Sequence, residues 1–83
     1  MIGTRRILKD GKADTLMPAY DLDEAQSRAD RILRDQSDIQ RVEVIRRWHD
    51  GRVYKRDTLE IRARSAVDPQ AIVTVGGSLP QFD

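Results

Sequence analysis

Residues 46–56, RRWHDGRVYKR, concentrate the side chains of this sequence whose chemistry could serve a site. The stretch holds four arginines, one lysine, the only histidine and the only tryptophan of the chain, around an Asp-Gly pair. Guanidinium and ammonium groups beside aromatic rings suit anion binding and cation–π contacts. The stretch is therefore a candidate binding surface, and the solvated end of a β-hairpin is the plainer interpretation.

Catalytic and metal chemistry find little support in the residue types. His49 is the only imidazole and the chain has no cysteine, so a zinc site would need mostly carboxylate ligands. The serines have only that one imidazole as a potential base, which argues against nucleophilic catalysis. We expect a non-catalytic protein without metal or cofactor, in which His49 is an exposed turn residue.

Length and composition predict one small folded domain. The chain has 83 residues and a net charge of +1, and its Leu, Ile, Val and Phe content lies just above that of disordered chains. No apolar run is long enough for a signal peptide or a membrane span, and no cysteine indicates an oxidising compartment. We therefore expect a cytoplasmic protein that does not contact a membrane.

The segment that begins at Asp21 has the pattern of one amphipathic helix. Asp21 is a suitable N-cap, and Glu24 three residues later completes a capping box. The face predicted to pack on the sheet consists of Leu22, Ala25, Ala29, Ile32, Leu33 and Gln36. On the outside we expect the ion pairs Glu24–Arg28 and Asp30–Arg34, and we expect the helix to end at Ser37 and Asp38.

Residues 41–64 predict a β-hairpin with Asp50-Gly51 as a two-residue turn, since this dipeptide tolerates positive φ. This turn predicts that His49 faces Arg52, Trp48 faces Val53, Arg46 faces Lys55, Val44 faces Asp57 and Val42 faces Leu59. One face then carries Val42, Val44, Trp48, Val53, Leu59, Ile61 and Ala63, interrupted by Arg46, Lys55 and Asp57, and should meet the helix. The other face carries Arg41, Glu43, Ile45, Arg47, Tyr54, Arg56, Thr58, Glu60, Arg62 and Arg64, with Arg41 paired to Glu60.

The remaining segments complete the predicted fold. Residues 4–17 predict a shorter hairpin around Asp10-Gly11, with Pro18 closing its second strand. Residues 65–83 are expected to be a flexible tail or to add a short strand over 71–75. The sequence thus predicts an α+β domain over residues 1–64, with a mostly antiparallel sheet of about four strands and one helix on one face, in the order ββαββ.

Two alternatives remain for the charged residues on the helix side of the hairpin. Arg46, Lys55 and Asp57 would be costly to bury without partners, so they form either a salt-bridged rim with Trp48 as its lid or an anion pocket. In the pocket, Trp48 is the floor, and Arg46 and Lys55 line it. On the other face, Arg47, Tyr54 and Arg56 offer phosphate contacts and one stacking platform, a weak nucleic-acid pattern.

Charge is distributed unevenly, which bears on function. Residues 13–40 have seven acidic and three basic side chains, whereas residues 41–64 have eight basic and four acidic ones. A symmetric dimer could match the acidic helix to the basic sheet and bury Ile45, Tyr54 and Thr58. The sequence therefore predicts a small non-catalytic interaction module that forms a homodimer or binds another protein. The alternative is a nucleic-acid-binding domain that uses the outer face of the 41–64 hairpin.

Overall fold

The computed structural model describes residues 1–76 and shows the predicted α+β fold. The elements are β1 (Ile2–Leu8), β2 (Met17–Ala19), α1 (Leu22–Asp35), β3 (Ile39–His49), β4 (Tyr54–Arg64) and β5 (Ile72–Gly76). All five strands pair antiparallel in the order β2-β1-β3-β4-β5. The alternative of a short C-terminal strand is confirmed by β5, while residues 77–83 of the predicted tail lie outside the described part.

The helix begins where its capping residue predicts. The backbone N–H of Glu24 donates to Asp21 Oδ1 at 2.8 Å, and the Glu24 carboxylate accepts from Arg28 Nη2 at 2.9 Å. The predicted Asp30–Arg34 ion pair is wrong, because the Asp30 carboxylate faces the sheet and binds Arg62. The helix ends at Asp35, two residues before the predicted Ser37.

The main hydrophobic cluster lies between α1 and the central strand, β3. The predicted helix face is confirmed: Ala25, Ala29 and Leu33 are buried, and Leu22 and Ile32 pack beside them. The sheet contributes Ile39, Val42 and Val44, with Ile2, Leu8, Ala19, Leu59 and Ile72 at the margin. The layer of side chains between the helix and the sheet thus forms the main cluster of the core, and Ile7 and Ile45 are buried outside it.

The first hairpin turns at Gly11, whose φ of 90° suits glycine. The N–H of Leu8 donates to the carbonyl of Lys12 at 2.9 Å, which closes the turn. Pro18 does not close β2 as predicted; it lies within this edge strand, opposite Gly3. An edge strand accepts proline because one side of it has no ladder to complete.

The β3–β4 turn is longer than the sequence predicts. Asp50 N–H donates to Val53 O at 3.0 Å, so residues 50–53 form the loop and His49 pairs with Tyr54. The predicted pairing of Trp48 with Val53 is wrong, since Trp48 lies opposite Lys55. The error is two residues, which keeps the side-chain alternation: Trp48 still lies on the helix side and Tyr54 on the other, as predicted.

A β-bulge at Leu59 changes the faces of the second half of β4. Ile45 pairs with Thr58 but Val44 pairs with Glu60, so Leu59 is an extra residue. The structure therefore corrects the facing of five residues. Ile61 and Ala63, predicted to meet the helix, lie on the opposite face of the sheet, whereas Glu60, Arg62 and Arg64 turn towards the helix.

Two expectations for the outer face change with this register. Glu60 does not pair with Arg41 across the strands, because its carboxylate accepts from Gln26 on the helix. Ile45 was expected to be exposed, but it is only 1% exposed. It is therefore covered within its own chain and offers no surface to a partner.

Candidate interaction surfaces of the β3–β4 hairpin

The helix side of the hairpin forms a set of neutralised charges around Trp48. Arg46 Nη2 lies 3.0 Å from the carboxylate of Asp57, and its guanidinium lies 4.7 Å from the centre of the Trp48 ring. Lys55 Nζ lies 2.7 Å from the carboxylate of Asp50 in the loop. Because each cation already has its own carboxylate, the geometry favours the salt-bridged rim over an anion pocket.

The opposite side, here called the Tyr54 face, consists of Arg47, His49, Tyr54 and Arg56. Tyr54 is 72% exposed, the Arg47 guanidinium lies 5.4 Å from its ring centre, and the His49 ring meets its edge at 4.9 Å. Arg56 lies directly opposite Arg47 in the neighbouring strand. Within residues 1–76 neither arginine forms an ion pair with a carboxylate.

The Tyr54 face borders a shallow cavity. Met1, Arg47 and Tyr54 line about 360 Å³ of space open to solvent. The Met1 side chain and the Tyr54 ring offer apolar surface, and the Arg47 guanidinium offers a positive charge. The structure thus brings together the predicted trio Arg47, Tyr54 and Arg56, and separates it from Arg46, Trp48 and Lys55 on the other face.

The backbone bonds of Arg47 define which way the β4 backbone points. Arg47 N–H donates to Met1 O at 2.7 Å, and Arg47 O accepts from the Met1 nitrogen at 2.7 Å. Arg47 therefore directs both backbone groups towards β1, so its pair with Arg56 is a non-hydrogen-bonded pair. The bond from Asp50 N–H to Val53 O agrees with this alternation, because it directs the Val53 carbonyl towards β3. It follows that Tyr54 and Arg56 direct their N–H and C=O groups away from β3.

Within residues 1–76, no strand lies on that side of β4 along Tyr54–Asp57. The described part of the outer neighbour, β5 (Ile72–Gly76), pairs with Ile61–Arg64. We call this side of Tyr54–Asp57 the open edge. The N–H and C=O groups of Tyr54 and Arg56 point into this space, where residues 1–76 place no pairing strand.

Sequence reasoning missed the structural role of Arg62. Arg62 Nη1 donates to Asp30 at 2.5 Å and Nε donates to Glu60, which also accepts from Gln26 at 2.9 Å. Burial acts to lower the pKa of Arg62, but its bonds to Glu60 and Asp30 outweigh this and hold the pKa above the ordinary value. The available signal was the spacing of Gln26 and Asp30, four residues apart on one side of the helix, which places two polar groups where they can bind a charged strand.

Arg64 was also placed on the predicted binding face, but it serves the helix terminus. Its guanidinium donates to the carbonyls of Leu33, Gln36 and Ile39 at 2.6, 2.7 and 2.6 Å. The carbonyls of Leu33 and Gln36 lie at the negative end of the helix dipole, where a cation is favourable, and that of Ile39 begins β3. Arg62 and Arg64 therefore do not add to the free positive charge of the outer face.

The described residues contain no group of three His, Cys, Asp or Glu side chains that could hold a metal ion. No helix within residues 1–76 has the length and apolar character needed to cross a membrane. Comparison with known proteins finds no matching family model, no matching curated protein and no matching solved structure.

Proposed function

We propose that this chain is a non-catalytic interaction module that self-associates by pairing the open edge of β4 with the same edge of a second copy. The observation that carries the proposal is that the Tyr54 and Arg56 backbone groups point away from β3, on a side where no described strand lies. Unpaired strand edges template the addition of another strand, and two identical edges can satisfy each other about a two-fold axis. A cytoplasmic location is part of the proposal, and imaging of a tagged chain tests it.

Symmetry limits the possible registers. A two-fold axis perpendicular to the sheet relates antiparallel strands without exchanging their faces, so it pairs residues that lie on the same face. Such an axis passes beside one residue and not between two neighbours. Along the open edge this residue is Lys55, Arg56 or Asp57. An axis at Lys55 opposes two lysines, and an axis at Asp57 opposes two aspartates. An axis at Arg56 places each Lys55 opposite Asp57 of the second copy.

Charge favours the axis at Arg56. This register has two opposite-charge contacts and one like-charge contact, between the two Arg56 side chains. The other two registers have a like-charge contact at the axis and no opposite-charge contact among the residues of the open edge. The contact is short, so we expect a weak dimer whose population depends on concentration.

Disulfide trapping tests both the edge and the register, because the chain has no cysteine of its own. In the proposed register the two Cα atoms of residue 56 lie about 5.5 Å apart, within the range of a disulfide. We expect Arg56→Cys to crosslink on mild oxidation. The matched controls Lys55→Cys and Asp57→Cys place the thiols diagonally, about 7–8 Å apart, and should crosslink poorly.

Sedimentation of the unmodified chain over a concentration series completes the test. A dimer at high micromolar concentration supports the proposal, whereas a monomer at every concentration overturns it. Fastest crosslinking at residue 55 or 57 overturns the register. Slow hydrogen exchange of the Tyr54 and Arg56 amides in a monomer would mean that another part of the same chain covers the edge, and it also overturns the proposal.

A second candidate function is single-stranded nucleic-acid binding by the Tyr54 face. The observation that favours it is the pair Arg47 and Arg56, which lie opposite each other beside a largely exposed tyrosine and form no ion pair with a carboxylate of residues 1–76. Arginine contacts phosphates, and an exposed aromatic ring stacks an unpaired base. Titration of a labelled oligonucleotide at about 50 mM and 200 mM salt tests it, since phosphate contacts weaken with salt.

A further inference from the structure

We infer that the two candidate functions are one, because the β4–β4 dimer assembles a phosphate-binding row that a single copy holds only in half. This inference rests on the proposed self-association. Arg47 and Arg56 lie opposite each other on one face of the hairpin. In the Arg56-centred register the second copy continues the same face, so four arginines lie side by side across four strands. The row is about 15 Å long between its outer Cα atoms.

The row explains how a like-charge contact at the axis is tolerated. The two Arg56 guanidiniums repel each other in the free dimer, and the described residues place no carboxylate beside them. Phosphate groups lying along the row replace this repulsion with two attractions. By linkage, an oligonucleotide that strengthens the dimer is itself bound more tightly by the dimer, by the same factor.

The flanking aromatic rings favour a single strand over a duplex. Tyr54 lies beside the row, and the Tyr54 of the second copy lies on its other side by symmetry. Each ring is exposed next to the cavity that Met1 and Arg47 line. An unpaired base can stack on such a ring, whereas the bases of a duplex are already stacked on one another.

The salt dependence of binding measures the number of arginines in contact. For a single strand, the logarithm of the binding constant falls with the logarithm of salt with a slope of about −0.7 per phosphate neutralised. Four arginines therefore predict a slope of about −2.8 for oligothymidylate, measured by fluorescence anisotropy. Arg56→Thr or Arg47→Thr removes two charges per dimer and should halve the slope. Arg52→Thr, in the loop outside the row, is the matched control and should leave the slope unchanged.

A charge variant separates the dimer from simple attraction. Asp57→Lys places Lys55 opposite a lysine and so weakens the proposed dimer, yet it adds positive charge to the chain. We expect oligothymidylate to bind at least about tenfold more weakly to this variant, and Lys55→Asp added to it to restore binding. Tighter binding by Asp57→Lys alone would overturn the inference, because charge and not assembly would then determine affinity.

Sedimentation with and without oligothymidylate distinguishes the two proposals. We expect the dimer dissociation constant to fall at least about tenfold at saturating oligonucleotide. A dimer that binds no oligonucleotide overturns this inference and leaves the self-association proposal standing. A chain that stays monomeric with and without oligonucleotide overturns both. Binding by the monomer with the full slope overturns this inference alone.

Discussion

Val44 of β3 lies directly opposite Glu60 of β4, while the adjacent Ile45 lies opposite Thr58. This shift of one residue, absorbed at Leu59, determines what the helix contacts on β4. Glu60 and Arg62 turn towards α1 and bind Gln26 and Asp30 there, so polar bonds join the helix to this strand in addition to the packing of Leu59. The stability of the helix–β4 contact therefore depends on a charged network.

Removing the Glu60 carboxylate should destabilise the protein strongly. Glu60 is 3% exposed and accepts from both Gln26 and Arg62. Glu60→Ala leaves the Arg62 guanidinium and the Gln26 amide without this acceptor, so we expect the free energy of unfolding to fall by about 3 kcal/mol. Glu60→Gln keeps an acceptor without the charge and should cost about half as much. Urea denaturation measures both, and equal losses would contradict a charge-dependent network.

Arg64 should stabilise the end of α1 through its forked geometry. Its three bonds to the carbonyls of Leu33, Gln36 and Ile39 need a planar group with several donors. We expect Arg64→Met to lower the unfolding free energy by about 2–3 kcal/mol and Arg64→Lys to recover less than half of that. The control Arg34→Met, on the exposed side of the last helical turn, should cost less than about 0.5 kcal/mol. A lysine that restores full stability would show that only the charge matters.

The helix was predictable because its signals are local. Asp21 with Glu24 marks its start, and the spacing of Ala25, Ala29 and Leu33 marks its buried face. Nothing outside the segment is needed to interpret either pattern. Its ion pairs were less predictable, since Asp30 binds a residue of β4 that lies 32 positions away.

The hairpin faces were predictable near the turn but not beyond Leu59. Gly51 adopts the positive φ that the sequence indicates, with φ 76°, but in a wider loop than the predicted two-residue turn. That error shifts the pairing by two and spares the assignment of Trp48 and Tyr54 to opposite faces. The bulge shifts it by one more, which exchanges the faces of every later residue. The alternation of residues within one strand does not show where a bulge lies, so the sequence did not predict this one.

The close approach of β1 and β2 should make Gly3 irreplaceable. A Cβ at this position would lie 2.5 Å from the carbonyl oxygen of Met17 and 3.1 Å from Leu16 Cδ1. Because a backbone atom cannot move aside easily, Gly3→Ala should push the edge strand away and cost about 2 kcal/mol. Gly76→Ala is the matched control: its Cβ would meet Ile61 Cδ1 at an ordinary 3.5 Å, so thermal unfolding should change little. Similar effects of the two substitutions would contradict this account.

Acid should remove a contribution that Asp14 makes to stability. Its hydrogen bond from Arg6, together with one from the Thr15 backbone, holds the pKa of Asp14 below its ordinary value. A carboxyl whose pKa is lower in the folded state stabilises that state above its ordinary pKa, and the contribution is lost as the pH falls through the folded value. The stability difference between the natural chain and Asp14→Asn should therefore shrink on acidification.

Carboxyl NMR titration of Asp14 checks the cause directly. In Arg6→Gln the pKa of Asp14 should rise towards its ordinary value, since the largest stabilising bond is gone. An Asp14 pKa that stays the same in Arg6→Gln would assign the shift to the Thr15 backbone bond instead.

Self-association should respond to charge reversal at Lys55 in a way that only a paired edge explains. In the Arg56-centred dimer Lys55 lies opposite Asp57 of the second copy, so Lys55→Asp creates two like-charge contacts in place of two attractive ones. We expect the dimer dissociation constant to rise about tenfold or more, because each cross-strand charge contact is worth about 0.2–1 kcal/mol. Sedimentation equilibrium measures this change.

The companion reversal separates this contact from the intramolecular ones. Lys55 and Asp57 also pair with Asp50 and Arg46 in their own chain, at exposed positions where such pairs contribute little to stability. The double variant Lys55→Asp with Asp57→Lys breaks both intramolecular pairs but restores opposite charges across the two-fold axis. Recovery of the dimer in the double variant therefore points to the intermolecular contact, and a dimer weaker than in either single variant would point to the hairpin's own ion pairs.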